Sequence, residues 1–120
     1  MDKGQIIQSF WQSFGLPAYD QNTVPQTAVL PYITYSVSTG ALEDTLLLDA
    51  SIWYRSTSWA EITRKAEQIA EDIAPHKILK FDKGRLLLVQ GTPFSQRMSD
   101  PDKDIRRIRL NVEAEFLSAS

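Results

Sequence analysis

Residues 107–116 constrain the fold more than any other stretch. Ile108, Leu110, Val112, Ala114 and Phe116 alternate strictly with Arg107, Arg109, Asn111, Glu113 and Glu115. Successive side chains of a strand point to opposite faces, so this strand has one apolar face and one charged face. Such a strand belongs in an antiparallel sheet that packs one side on a core and leaves the other wet.

Further strands follow the same logic. Ile33, Tyr35 and Val37 alternate with Thr34, Ser36 and Ser38, which reads as a strand over 32–38. Gly40 marks a turn, and a second strand runs from Leu46 to Arg55. Its Leu46, Leu48, Ala50, Ile52 and Tyr54 share one face, and Leu47, Asp49, Ser51, Trp53 and Arg55 share the other. The two runs form a hairpin. Residues 77–81 and 85–90 give two short strands around the turn Asp82-Lys83-Gly84.

Two segments carry helical spacing. Ile6, Ile7, Phe10, Trp11 and Phe14 make one stripe, with Gly15 as a stop and Pro17 just beyond. Ser58-Trp59-Ala60-Glu61 has the capping-box pattern, and Trp59, Ile62, Ala66, Ile69, Ala70 and Ile73 line the apolar face behind it, up to Pro75. Residues 16–31, with three prolines, and residues 91–104, with Pro93 and Pro101, read as long loops. The expected architecture is α+β: a mainly antiparallel sheet with two α-helices packed on one face. The 120 residues fit one domain, 1–120.

Composition narrows the function. Without cysteine there is no disulfide framework, thiolate zinc site or cysteine nucleophile. No apolar run reaches bilayer length, and the first residues lack the basic and apolar blocks of a signal peptide. His76 is the lone histidine, so a metal or catalytic role has no second imidazole to work with. Asp100-Pro101-Asp102-Lys103-Asp104 opens like a calcium loop, but Ile105 and Asn111 stand where an EF-hand needs glycine and glutamate. Glu43-Asp44 and Glu71-Asp72 are adjacent carboxylates without the spacing of a catalytic pair. Nucleophile elbow, P-loop and dinucleotide fingerprint are all missing. The expectation is a protein that is not an enzyme, with no catalytic residues, cofactor or metal.

A net charge of −2 does not suggest a DNA-coating protein. Arg106, Arg107 and Arg109, with Lys77, Lys80, Lys83 and Arg85, suggest a basic strip, which Glu113 and Glu115 on the same face would interrupt. The alternative use of these arginines is ion pairing across strands or with carboxylates of another subunit. Trp53 is a large indole on a polar strand face, and such a residue is either covered by a helix or held in an interface.

The order of these features is familiar. Ala18-Tyr19-Asp20 through Val24-Pro25, then Pro31-Tyr32-Ile33-Thr34-Tyr35, resembles the opening of the tail terminator family of long-tailed phages and prophages, also called tail completion or head–tail joining proteins. Ile52-Trp53-Tyr54-Arg55, the helix start Ser58-Trp59, the strand Leu86 to Gly91, Pro93-Phe94 and the closing Arg106-Arg107-Ile108 continue the pattern from about Ile6 to Leu117. The resemblance implies a homo-oligomeric ring, commonly a hexamer, that caps the tail tube and stops its growth. It implies the tail tube protein and a head–tail connector or stopper protein as partners, with DNA passing through the channel without specific binding and with no membrane. The protein would sit in the virion at the head–tail interface, and in the host cytoplasm during assembly. Under this reading Trp53, Arg55, Arg107 and Arg109 are candidates for subunit contacts. Gly40, Glu43, Asp44, Gln96, Arg97, Asp100 and Asp102 are candidates for loops facing the tube or connector. Another head–tail connector or minor virion protein, or a small nucleic-acid-binding domain, are the alternatives.

Overall fold

The structure is a computed structural model and describes residues 1–39 and 45–118. Among them the chain order is α1 (Lys3–Gln12), β1 (Ala18–Asp20), β2 (Tyr32–Tyr35), β3 (Ser38–Thr39), β4 (Thr45–Leu47), β5 (Ala50–Arg55), α2 (Ala60–Ile73), β6 (Lys77–Phe81), β7 (Gly84–Met98) and β8 (Ile105–Ser118). The fold is α+β, with both helices packed on one face of a mostly antiparallel sheet.

The alternating strand is the centre of that sheet. One edge of β8 pairs with β5 and then, further along, with β4; the other edge pairs with β7 over nearly its whole length. Fourteen extended residues span about 46 Å, close to the longest molecular dimension of 50 Å. On the inner face Ile108, Leu110, Val112 and Ala114 are buried with Ile33, Ala50, Ile52, Leu86 and Leu88. The helices close this core. Ile62, Ala66, Ile69 and Ile73 recur at helical spacing on α2 and are all buried, as are Ile7, Phe10 and Trp11 of α1. The Lys65 ammonium ties the helices together by donating to the Phe14 carbonyl at 2.7 Å. Gly15, at φ +84°, takes the left-handed conformation that ends the α1 segment.

The two expected strands pair as a hairpin. Ile33, Tyr35, Leu46, Leu48, Ala50 and Ile52 of the apolar face are buried, but Val37 is 47% exposed and Ser51 of the polar face is buried. The second strand is interrupted at Leu48 and Asp49, yet the register runs unbroken: Tyr35 faces Ala50 and Ser38 faces Leu47. Leu48 still donates its N–H to Val112 at 2.9 Å.

Three expectations change. Residues 16–31 are not all loop: β1 lies parallel to β2, with Ala18 facing Ile33, and is too short to show a period. The capping box is at the other helix. Asp2 accepts from the Gln5 N–H at 2.8 Å and the Gln5 side chain accepts from the Asp2 N–H at 2.9 Å, whereas Trp59 is the N-cap of α2 and makes no side-chain cap bond. Ser58 instead accepts from the Ala60 N–H at 3.1 Å, so its hydroxyl is one residue out of position for Glu61.

The third change is in residues 91–104, of which 91–98 continue β7. Polar side chains and Pro93 disguise the strand, because Pro93 has no N–H to give a ladder. The register shifts between Gln90, opposite Val112, and Ser95, opposite Leu110. That bulge lets the chain accommodate Pro93 and resume pairing. Gly91 makes it possible: a Cβ there would stand 2.9 Å from the Asn111 Cβ and 3.0 Å from the Asn111 carbonyl oxygen. Gly91→Ala should therefore cost about 1–3 kcal/mol, the range for forced overpacking. A urea denaturation curve checks this, and an unchanged midpoint would mean that the bulge is slack.

Candidate protein interface on the uncovered sheet face

Because both helices pack on the apolar side, the charged side of the sheet has no helix over it among the described residues. Register fixes its composition row by row. Trp53 faces Arg107, which faces Met98; Ser51 faces Arg109, which faces Gln96; Thr34 faces Ser51.

Short polar bonds lock this end of the face. The Arg107 guanidinium lies 4.6 Å from the Trp53 ring centre, and its Nε donates to the Ser51 hydroxyl at 3.0 Å. The Trp53 indole donates to Thr34 Oγ1 at 2.9 Å. Arg109 Nη2 donates to Asp49 Oδ2 at 2.9 Å. Arg107, Arg109, Asp49, Ser51 and Thr34 border a polar groove of about 250 Å³, together with Gln21, Ser36 and Ser38. Ser51 is buried, but its partner arginines remain part-exposed. The result is a pre-ordered plate of indole and guanidinium. Such rigid side chains lose little freedom when covered by another protein.

Of the residues singled out in the sequence, Trp53, Arg107 and Arg109 come together here. Arg55 extends the plate at the end of β5, 3.7 Å from the Asp102 carboxylate. Gln96 joins it too, from within a strand and not from a loop, and its side chain accepts from Asn111 Nδ2 at 3.1 Å. Arg97 is also in β7 but faces Ile108 on the helix side, where its guanidinium sits 4.7 Å from the Trp59 ring centre. Asp100 and Asp102 do lie in the β7–β8 turn, where each carboxylate accepts the backbone N–H two residues on, at 2.9 Å. Gly40, Glu43 and Asp44 lie outside the described residues.

The continuous basic strip does not form. Arg85 faces Leu117, and Lys80 faces Arg85. Eight residues of β8, about 26 Å, therefore separate them from Arg109. Lys77 is taken up by Asp72 at 2.9 Å. Arg106 leaves the open face altogether, donating to the Thr57 carbonyl at 2.8 Å with its guanidinium 5.3 Å from the Trp59 ring centre. Asp49, Ser51 and Thr34 share this face by the period of two along their strands, yet nothing in their residue types marks them as partners of the indole and the arginines.

The geometry thus defines an α+β fold whose uncovered sheet face is polar and aromatic, with its side chains ordered by hydrogen bonds, an ion pair and stacking. No family model matches the chain, and no curated protein sequence matches it. Among solved structures, a chain from the virion of a native gene transfer agent particle shares the fold. The TM-score is 0.61 over 94% of this chain and 84% of that one, at 16% sequence identity.

Proposed function

We propose that this chain is a tail terminator of a phage or phage-like particle: a single ring-forming domain, commonly six copies, that caps the tail tube, stops its polymerisation and joins it to the head connector. The observation that carries this reading is the fold likeness to a gene transfer agent virion chain over nearly the whole length. The motif order from Ile6 to Leu117 points the same way. The open sheet face with Trp53, Arg55, Arg107 and Arg109 supplies the subunit contact, and the β7–β8 turn with Asp100 and Asp102 reaches toward the tube or the connector. A ring needs such a heterologous contact that closes on itself. Arg55 and Arg109 of the face are paired with Asp102 and Asp49, so DNA passing through a channel meets few bare cations.

Electron microscopy of the protein mixed with its cognate tail tube protein tests the proposal. The expected result is rings, or tubes closed at one end and stopped at uniform length. Tubes that grow to random length with open ends in excess protein would overturn it.

A further inference from the structure

The open face of β8 reverses its charge about its midpoint. Arg107 and Arg109 stand on one side of Asn111, and Glu113 and Glu115 stand on the other. Each pair is spaced by two residues, about 6.6 Å, so the two halves have matching spacing and opposite sign. Their surroundings match as well. The arginine half is flanked by the Trp53 ring. The glutamate half is flanked by Leu47 and Val89, both opposite Glu113, and Leu47 is 37% exposed. Glu113 and Glu115 are exposed and make no ion pair among the described residues. Residues 40–44 and 119–120 contain no lysine or arginine that could neutralise them.

We infer that the glutamate half is the counter-surface for the arginine half of a second copy of this chain. Arg107 and Arg109 of one copy seat on Glu113 and Glu115 of the next, with Trp53 covering one of the two aliphatic residues, Leu47 and Val89, that flank Glu113. The inference rests on the proposed assembly role and deepens it by naming which part of the neighbour the arginines meet. The second copy is the occupant because the complementarity is internal: one strand carries both the surface and its match. The flanking aliphatic side chains help keep water from the charges, and the charges fix register and reject misaligned copies.

Two sets of variants test it, each followed by sedimentation velocity with the protein free and with its tube protein. Glu113→Lys with Glu115→Lys gives an all-basic strand and should weaken self-association by about 10-fold or more. Arg107→Glu with Arg109→Glu gives an all-acidic strand with the same loss, and mixing the two variants should restore association. The acidic variant sets glutamate against Asp49 and can fail to fold, so a second measurement avoids it. The chain has no cysteine, so Arg109→Cys and Glu113→Cys chains can be mixed and oxidised. A disulfide-linked heterodimer in clear excess over either chain alone is expected. Wild-type self-association by Glu113→Lys/Glu115→Lys, or cross-linking no greater in the mixture, overturns the inference. Tube capping separates the two readings: tubes capped equally by wild type and the all-basic variant leave the terminator role standing and remove this contact. Cross-linked copies that never cap a tube do the reverse.

Discussion

Trp11→Ala should lower stability by about 3–5 kcal/mol, the range for truncating a fully buried tryptophan. Trp11→Phe should cost far less. Trp11 has no exposed surface and packs in an aromatic cluster, with its ring centre 4.8 Å from that of Phe10 and 6.4 Å from that of Phe14. It also anchors a helix of only ten residues. So short a helix is marginal in water and owes its stability to its docked face. Alanine removes that anchor and leaves a cavity. Phenylalanine keeps most of the volume and removes an unfavourable group: the Trp11 indole N–H is buried without a hydrogen-bond partner. An orphaned buried donor costs about 1–3 kcal/mol, which offsets much of the smaller cavity. Thermal melts followed by circular dichroism read the difference. Trp11→Ala should drop Tm by more than about 10 °C, with Trp11→Phe near wild type. Equal losses in both variants would show that the indole N–H is satisfied after all.

What the sequence made legible follows from where periodicity and burial coincide. The β8 alternation named the buried and wet faces residue by residue, because a strand with one face on a core must alternate. Helix α2 was legible for the same reason at a period of 3.6. The face partners Trp53, Arg107 and Arg109 were found by alternation on two separate strands, and only their pairing needed the structure. Three of the failures share a cause, a contact distant in sequence, and the fourth, the cap, is local. β1 is held by a parallel partner, with the Ile33 N–H donating to Pro17 at 2.8 Å and the Gln21 N–H to Tyr35 at 2.8 Å. Nothing within its three residues announces that. The second half of β7 reads as loop because its pairing is rescued by a bulge, and Gly91 is required there by the nearness of Asn111. Ser58 matched a capping pattern, but the helix begins one residue too late for Glu61 to complete it. The basic strip failed because clustering in sequence is not clustering on a sheet: the pairing of β7 with β8 sets Arg85 against Leu117 and far from Arg109.

The same geometry separates stability from assembly, and Trp53→Ala combined with Arg55→Ala exploits it. The double variant should still fold cooperatively, with a modest loss of stability, and fail to cap tubes. Truncating Trp53 loses one hydrogen bond to Thr34 and the stacking of Arg107. At a half-exposed position these are worth about 1 kcal/mol each. Arg55 is 63% exposed and sits 3.7 Å from Asp102, and an exposed pair of that kind contributes about 0–1 kcal/mol. Association weighs the same residues differently. Tryptophan and arginine at the centre of a contact typically carry about 2 kcal/mol or more each once water is excluded, or roughly 30-fold in affinity. A closed ring repeats its contact at every subunit, so the loss compounds around the circle. A still cooperative melting curve lowered by about 10 °C, together with tubes that overgrow without caps in the microscope at a temperature where the variant is folded, is the expected pair of results. Capped tubes of normal length would move the subunit contact off this face. A cooperative melt lost altogether would mean that the Trp53–Arg107 stack supports the sheet itself.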